Sequence, residues 1–414
     1  MKILLLHQYY LEEDDSGGSR WNEMTRMWSA KGHDITVVAG MIHSNGFEKR
    51  PEYKNKYFVE KLTNSIQIWR CHVSESYNVN FLGRLWGYFS FVFSSLWCLL
   101  FKVKGKYDVI IITSPPLFIS ISAMIYSWVK RTPMIFEIRD LWPESAIDTG
   151  VVKNRLIIKI AYWLEKISYK NAKLINVLTP AFRDALIENK NVSPNKIIYI
   201  PNAADFDISD QLVEQNIKSV IRERYNLQDK FIITYVGAHG VANCLGQVLD
   251  TAKLLEDTTV VFLLIGNGME KPSLIKRAQD ENITNVIFID PVPKTEVFKY
   301  ILSSDMGASI LKKAEAFKTV YSNKTFDYFA CKRPVFMLID GVSRKLIEEA
   351  NAGIYVEPEN PKAFANNIRN YLEDKGRILK EGENGYRFAK ANFDRTELSE
   401  KYINHILTLK NNNV

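Results

Sequence analysis

The sequence predicts two α/β domains in tandem, each built on a doubly wound parallel sheet. Three observations carry this reading. The chain has 414 residues, 46% of them hydrophobic, enough for two full cores. Short apolar runs alternate with helical patterns along the whole length, as in repeated β–α–β units. In both halves, glycines or charged residues follow directly after a strand, where such sheets place their ligands. Two such domains, each with loops at its strand ends, predict a central cleft between them.

KILLLHQYY is the opening strand, followed by the loop EEDDSGGSRW, a helix over 22–30 and a strand over 34–39. Gly17 and Gly18 lie in that loop, at the carboxyl end of the strand, where a backbone without side chains can approach a ligand closely. Residues 43–80 read as mixed strands and loops. Residues 85–101 then carry no charge, with Arg84 before them and Lys102, Lys104 and Lys106 after. Such a run is at the lower limit for crossing a bilayer. YDVIIITS follows as a buried strand of the sheet that opened at Lys2, and a span would separate strands that must pair. A helix lying in a membrane interface, with Trp86, Tyr88 and Trp97 at the polar boundary, keeps them on one side. A core helix of the domain is the other reading.

A second apolar helix covers 117–129. Residues 134–138 are a strand, and Arg139 and Asp140 stand at its carboxyl end as an acid–base pair: a candidate site or a structural ion pair. A helix over 154–170 presents Arg155, Lys159, Lys166 and Lys170, as a solvated face or part of a lipid-facing surface. KIIYIPNAADF closes the first domain at residue 205. In the second domain, 206–390, Gly237 and Gly240 follow the strand FIITYV, and Gly266 and Gly268 follow VVFLLI. An amphipathic helix within 391–414 is expected to pack back toward the first domain.

The stretch SNKTFDYFACKRPV, 322–335, holds the most chemistry. Ser322 or Asn323 can cap a helix whose free N–H groups suit an anion. Lys324 adds a positive charge at that end. Asp327, one turn on, is a carboxylate able to accept from two adjacent hydroxyls. Diphosphate at the helix start and ribose one turn along would fit a sugar nucleotide; a solvated surface helix is the competing reading.

The net charge of +7 lies wholly in the first half. Residues 1–205 hold 26 Lys and Arg against 19 Asp and Glu, and residues 206–414 hold 28 against 28. The asymmetry points to an acidic partner there: an anionic membrane, a phosphorylated acceptor or nucleic acid. Cys71, Cys98, Cys244 and Cys331 are scattered without metal-ligand spacing, so reduced thiols are expected. The apolar start, residues 3–6, is too short for a signal-peptide core, which predicts a cytoplasmic protein. Asp205-Phe206-Asp207 follows Pro-Asn-Ala-Ala in a linker-like stretch and is not read as a metal site. Gly266-Asn267-Gly268 lacks the third glycine of a dinucleotide fingerprint, and HExxH, P-loop and GxSxG motifs are absent.

Taken together, GGSR, RDLWPES, IPNAAD, YVGAHG, LLIGNG and SNKTFDYFACKRPV, in this order across nearly the whole chain, resemble the GT-B glycosyltransferases of family 4. The resemblance is closest to the bacterial branch that builds O-antigen or capsule, including the WbuB-like L-fucosamine transferases. It implies a retaining, metal-independent enzyme without a cofactor, with a UDP-sugar donor. The donor would bind the second domain through Gly237, Gly240, Gly266, Gly268, Ser322, Asn323, Lys324 and Asp327. A polyprenyl-diphosphate-linked saccharide would bind the first through Gly17, Gly18 and Arg20, with Arg139, Asp140 and Lys324 catalytic. An anionic membrane surface, and not nucleic acid, would be the acidic partner. The paired-glutamate motif E-x7-E appears here as Thr319 and Asp327. Ala238 and His239 stand where many relatives carry an arginine for the diphosphate, and the histidine often found in the first domain's cleft is replaced around Arg139-Asp140. A sugar-nucleotide epimerase of similar shape and a non-enzymatic assembly scaffold are the rival readings.

Overall fold

The computed structural model describes all residues except 13–14, 16–19, 43–47, 79–80, 149–151, 215–217 and 412–414. The chain divides into two compact units. The first runs to Pro201 and takes in the last segment from Thr396; the second runs from Asn202 to Arg395.

The first unit carries an eight-stranded sheet: β1 (Lys2–Leu6), β2 (Asp34–Gly40), β3 (Phe58–Thr63), β4 (Ile66–Cys71), β5 (Val109–Ser114), β6 (Met134–Ile138), β7 (Leu174–Val177) and β8 (Ile197–Tyr199). Their order is β3-β4-β2-β1-β5-β6-β7-β8, all parallel except β3, which pairs antiparallel with β4 at one edge. Strands β1, β5 and β6 are buried along their whole length or nearly so, as continuous apolar runs such as VIIITS require when helices cover both faces. The order reverses between β1 and β5, which makes that pair's carboxyl end the switch point.

The apolar stretch forms a helix, Phe81–Trp97, continued by a wider turn over Cys98–Lys102. By length and composition, residues 85–102 could cross a membrane. One side of the helix, with Phe91, Val92, Ser94, Ser95, Cys98 and Leu99, is buried, and Ser94 bonds the His72 carbonyl just past β4. The opposite side leaves Trp86, Phe93, Trp97 and Phe101 more than half exposed. The helix is therefore part of the domain core along one side and exposed along the other. The last helix, Arg395–Asn411, buries Tyr402 against Trp21 and Trp28 of the first unit, at 5.7 and 5.5 Å between ring centres. The Trp28 indole also donates to the Ser399 carbonyl.

The second unit carries a six-stranded parallel sheet of β9 (Phe231–Val236), β10 (Val260–Ile265), β11 (Val286–Ile289), β12 (Met306–Ile310), β13 (Val335–Leu338) and β14 (Gly353–Tyr355). Its order, β11-β10-β9-β12-β13-β14, reverses between β9 and β12. Successive residues serve opposite cores: Phe336 and Leu338 pack on one face, Val335 and Met337 on the other. Two helices after β14, Pro361–Glu373 and Lys375–Asn392, had no counterpart in the sequence reading.

Candidate functional site

In the second unit the site forms at the β9–β12 switch point. The helix Asn323–Ala330 follows β12, and its pose is fixed by Tyr328. The Tyr328 hydroxyl donates to the carbonyls of Thr234 on β9 and Ala308 on β12, at 2.9 and 3.2 Å, and accepts from the Val236 amide. Its ring lies against Gly307, where a Cβ would come within 2.4 Å of it. The anchor directs the helix start, one turn earlier, at the loop after β9.

Lys324 lies at that start. Its ammonium sits over the Tyr235 ring, 4.6 Å from the centroid. Gly237, with φ +145°, makes room: a Cβ there would stand 3.2 Å from the Lys324 Cε. Burial pushes the ammonium pKa down to about 8, against the pull of Asp327. Ser322 is the residue before the helix, but its side chain makes no capping bond. The Thr325 amide donates to the Ser322 carbonyl, but no first-turn N–H donates to the Ser322 side chain. Asp327 is half-buried and makes no side-chain hydrogen bond among the described residues. Burial first, and then the Asp205 charge, push its carboxyl up to about 6, with Lys294, Arg395 and Lys324 opposing.

The other glycines have different tasks. A Cβ on Gly266 would lie 1.9 Å from the Gly237 carbonyl oxygen, and one on Gly268 2.4 Å from that of His239. These two glycines let the loops after β9 and β10 touch, with the His239 amide bonded to the Asn267 carbonyl. Gly240 has ordinary backbone angles, and a Cβ there would meet only Asn243 at 3.8 Å. His239 is fully buried with neither ring nitrogen hydrogen-bonded among the described residues. Burial pushes its pKa down to about 4, so the imidazole is neutral at pH 7 and brings no cation to this loop.

The sequence reading missed an ion cluster beside Asp327. Asp205 accepts from Arg395 and Lys294, and is itself buried. These two cations hold its carboxyl far below the ordinary range. They occupy the carboxylate that sequence had flagged as part of a metal-like pattern, while Asp207 is exposed on the next helix. Residues so distant in sequence gave no signal for this cluster. The Thr319 hydroxyl donates to the Ala316 carbonyl in its own turn.

In the first unit, Arg139 and Asp140 follow β6, with the Arg139 amide bonded to the Ser114 carbonyl. The two side chains make no ion pair with each other among the described residues. Asp140 accepts from the Ser145 hydroxyl at 2.7 Å, and burial raises its pKa. His7 stands at the switch point itself, its Nδ1 2.7 Å from Thr113 Oγ1, and burial holds it well below its ordinary pKa. Its place directly after the strand KILLL was the available signal. Arg20 is 4% exposed, with both sides of its guanidinium fork on the Glu137 carboxylate and further bonds to the carbonyls of Ile200 and Pro201. Its donors serve the interior of the unit. Gly17 and Gly18 lie outside the described residues.

Comparison with known proteins follows this division. Residues 17–203 match the family described as glycosyl transferase 4-like domain, and residues 230–374 match glycosyl transferases group 1. The chain is a GT-B glycosyltransferase of family 4. Among relatives of this transferase, WcaI of Escherichia coli K12, described as a colanic acid biosynthesis glycosyl transferase, is 22% identical over 98% of this chain and 100% of its own. A Campylobacter jejuni N-acetylgalactosaminyltransferase, named for a diphospho-undecaprenol-linked acceptor, is 23% identical over 62% of this chain and 66% of its own. The transferase also shares its fold with Anabaena Alr3699/HepE, solved with UDP: TM-score 0.70, 16% identity, 99% of this chain and 100% of that one. The lipopolysaccharide glycosyltransferase WaaG matches with TM-score 0.69 at 14% identity, over 98% and 99%.

Proposed function

We propose that this transferase moves a sugar, with retention and without a metal, from a UDP-sugar to a polyprenyl-diphosphate-linked saccharide in bacterial surface polysaccharide assembly, O-antigen or capsule. The observation that carries the reading is the placement of Lys324 and an uncapped helix start at the β9–β12 switch point, beside Gly237. When the bond from the anomeric carbon to the diphosphate oxygen breaks, negative charge grows on the leaving group. Peptide N–H groups and the Lys324 ammonium are preorganised to stabilise it. Asp327, its carboxylate unclaimed by the described residues, accepts from the ribose hydroxyls. Arg139 and Asp140 serve the acceptor side.

Relatives support the donor and acceptor classes: Alr3699/HepE was solved with UDP-glucose, and the Campylobacter jejuni enzyme is named for a diphospho-undecaprenol saccharide. N-acetyl-L-fucosamine is one candidate for the sugar. The enzyme works at the inner face of the cytoplasmic membrane, held by the helix that begins at Phe81.

A panel of radiolabelled UDP-sugars, with and without a polyprenyl-diphosphate-linked saccharide, and with and without EDTA, tests the reading. Label passing to the lipid in the presence of EDTA is expected. A changed UDP-sugar without acceptor would instead identify an epimerase, and no turnover of any donor a scaffold.

A further inference from the structure

We infer that three helices of the first unit, and not the helix from Phe81 alone, form one docking face for an anionic bilayer. The inference rests on the membrane partner proposed above and identifies the surface that meets it. The helix Ser120–Lys130 lies between Phe81–Trp97 and Arg155–Asn171. Ser122 donates to the Val92 carbonyl at 2.8 Å and lies 3.0 Å from Ser95. On the other side, Ser120 and Ser168 hydroxyls meet at 2.8 Å, and the Trp128 indole donates to Asn171 at 2.9 Å. Small hydroxyl residues at both seams pack the three helices into one layer.

Each helix turns apolar side chains away from the core. The first exposes Trp86, Phe93 and Trp97, and the second Trp128 and Val129. The third exposes Leu156, Ile160 and Trp163, spaced by four and three residues and so on one stripe, while Ala161, Leu164, Glu165 and Ser168 face inward. Beside that stripe Arg155, Lys159, Lys166 and Lys170 are all exposed. At the outer edge of the first helix an apolar groove of about 550 Å³ opens among Tyr57, Phe58, Phe93, Trp97 and Phe101, with the Lys102 ammonium 5.9 Å from the Phe58 ring centre.

Charge selects the occupant. The segments 81–107, 117–133 and 153–173 together hold 12 Lys and Arg and one acid, Glu165. Glu165 is buried and paired with Lys190. A second copy of this face would meet like charge, whereas anionic headgroups would meet lysines with aromatic side chains between them.

Co-sedimentation of the full chain with vesicles of phosphatidylglycerol and phosphatidylcholine, against phosphatidylcholine alone, tests the inference. Ile160→Ser with Trp163→Ser, and Lys159→Glu with Lys166→Glu and Lys170→Glu, are each expected to lower binding to the anionic vesicles by about tenfold or more. Brominated phosphatidylglycerol should quench tryptophan emission less in Trp128→Phe and in Trp163→Phe, which keep an apolar ring and so preserve the fold. Wild-type partition and quenching in all these variants would overturn the inference, leaving the first helix as the sole contact. Dimers in sedimentation velocity that the Ile160/Trp163 variant dissociates would overturn it too. UDP binding by the wild type, followed calorimetrically, reports separately on the proposed function.

Discussion

The Lys324 ammonium rests on the face of Tyr235, 4.6 Å from the ring centre, where its partner is a π-cloud and no carboxylate among the described residues forms a salt bridge with it. Tyr235 is buried, and its hydroxyl donates to the Ala238 carbonyl at 2.8 Å, so the ring is fixed from both ends. A cation held this way keeps its charge available for a ligand while being partly stripped of water.

That setting gives the proposed donor site a pH limit. With its pKa near 8, Lys324 loses its proton as pH rises through that value. UDP affinity is expected to fall between pH 7 and 9, approaching a tenfold loss per unit above about 8.5. Calorimetric titration with UDP measures this. Lys324→Arg, which keeps its charge, should flatten the dependence. Lys324→Ala should weaken binding at pH 7 by about 1.5–3 kcal/mol, the range for a charge-assisted hydrogen bond.

Asp327 sets stability against binding. Its carboxyl titrates near 6 in the folded chain and near 3.8 when free. Folding thus bears no cost below about pH 4 and the full cost above about pH 6. Asp327→Asn should stabilise the protein at pH 7.5 by about 1–3 kcal/mol and leave it little changed at pH 4. The same substitution should weaken UDP binding at pH 7.5. Thermal melts at the two pH values and one UDP titration check both statements.

The glycines separate by consequence. Gly237→Ala forces a side chain into a positive-φ position and against Lys324, so its expected effect is weaker UDP binding. Gly266→Ala drives a Cβ into the Gly237 carbonyl. A loss of about 3 kcal/mol or more is expected there, read as a lower denaturant midpoint.

Arg20→Ala should act through stability. It leaves Glu137, fully buried, without its cation and with only the Asn176 amide donating to it among the described residues, at a cost of about 3–5 kcal/mol. Arg20→Met with Glu137→Met should recover much of that loss. Denaturation curves of the single and double variants decide between an interior pair and a ligand contact, since only a ligand contact would lower affinity with stability intact.

Local patterning reached far into this protein. The apolar runs KILLL, VIIIT, FIITYV and VVFLLI announced parallel strands, because a strand buried on both faces must be apolar throughout. The helix start at Ser322 and the glycines after β9 and β10 were legible because helix-start residue types and close approaches act over a few residues; that the Ser322 side chain gives no capping bond was not legible. The two helices between β14 and the last helix were not read, although Asn360 and Asp374 both accept from first-turn amides as N-caps.

By itself, then, the sequence determined the two-domain α/β plan, the family, and which short segments bear charge, glycine and amide donors at strand ends. Tertiary structure alone decided which of those groups are tied into the interior and which stand at the strand-end loops. It set Arg20 on Glu137, Asp205 on Arg395 and Lys294, and Lys324 on Tyr235. These pairings join residues up to 190 positions apart. No local spacing encodes them, since they depend on how packed helices and sheets bring remote side chains into one low-dielectric place.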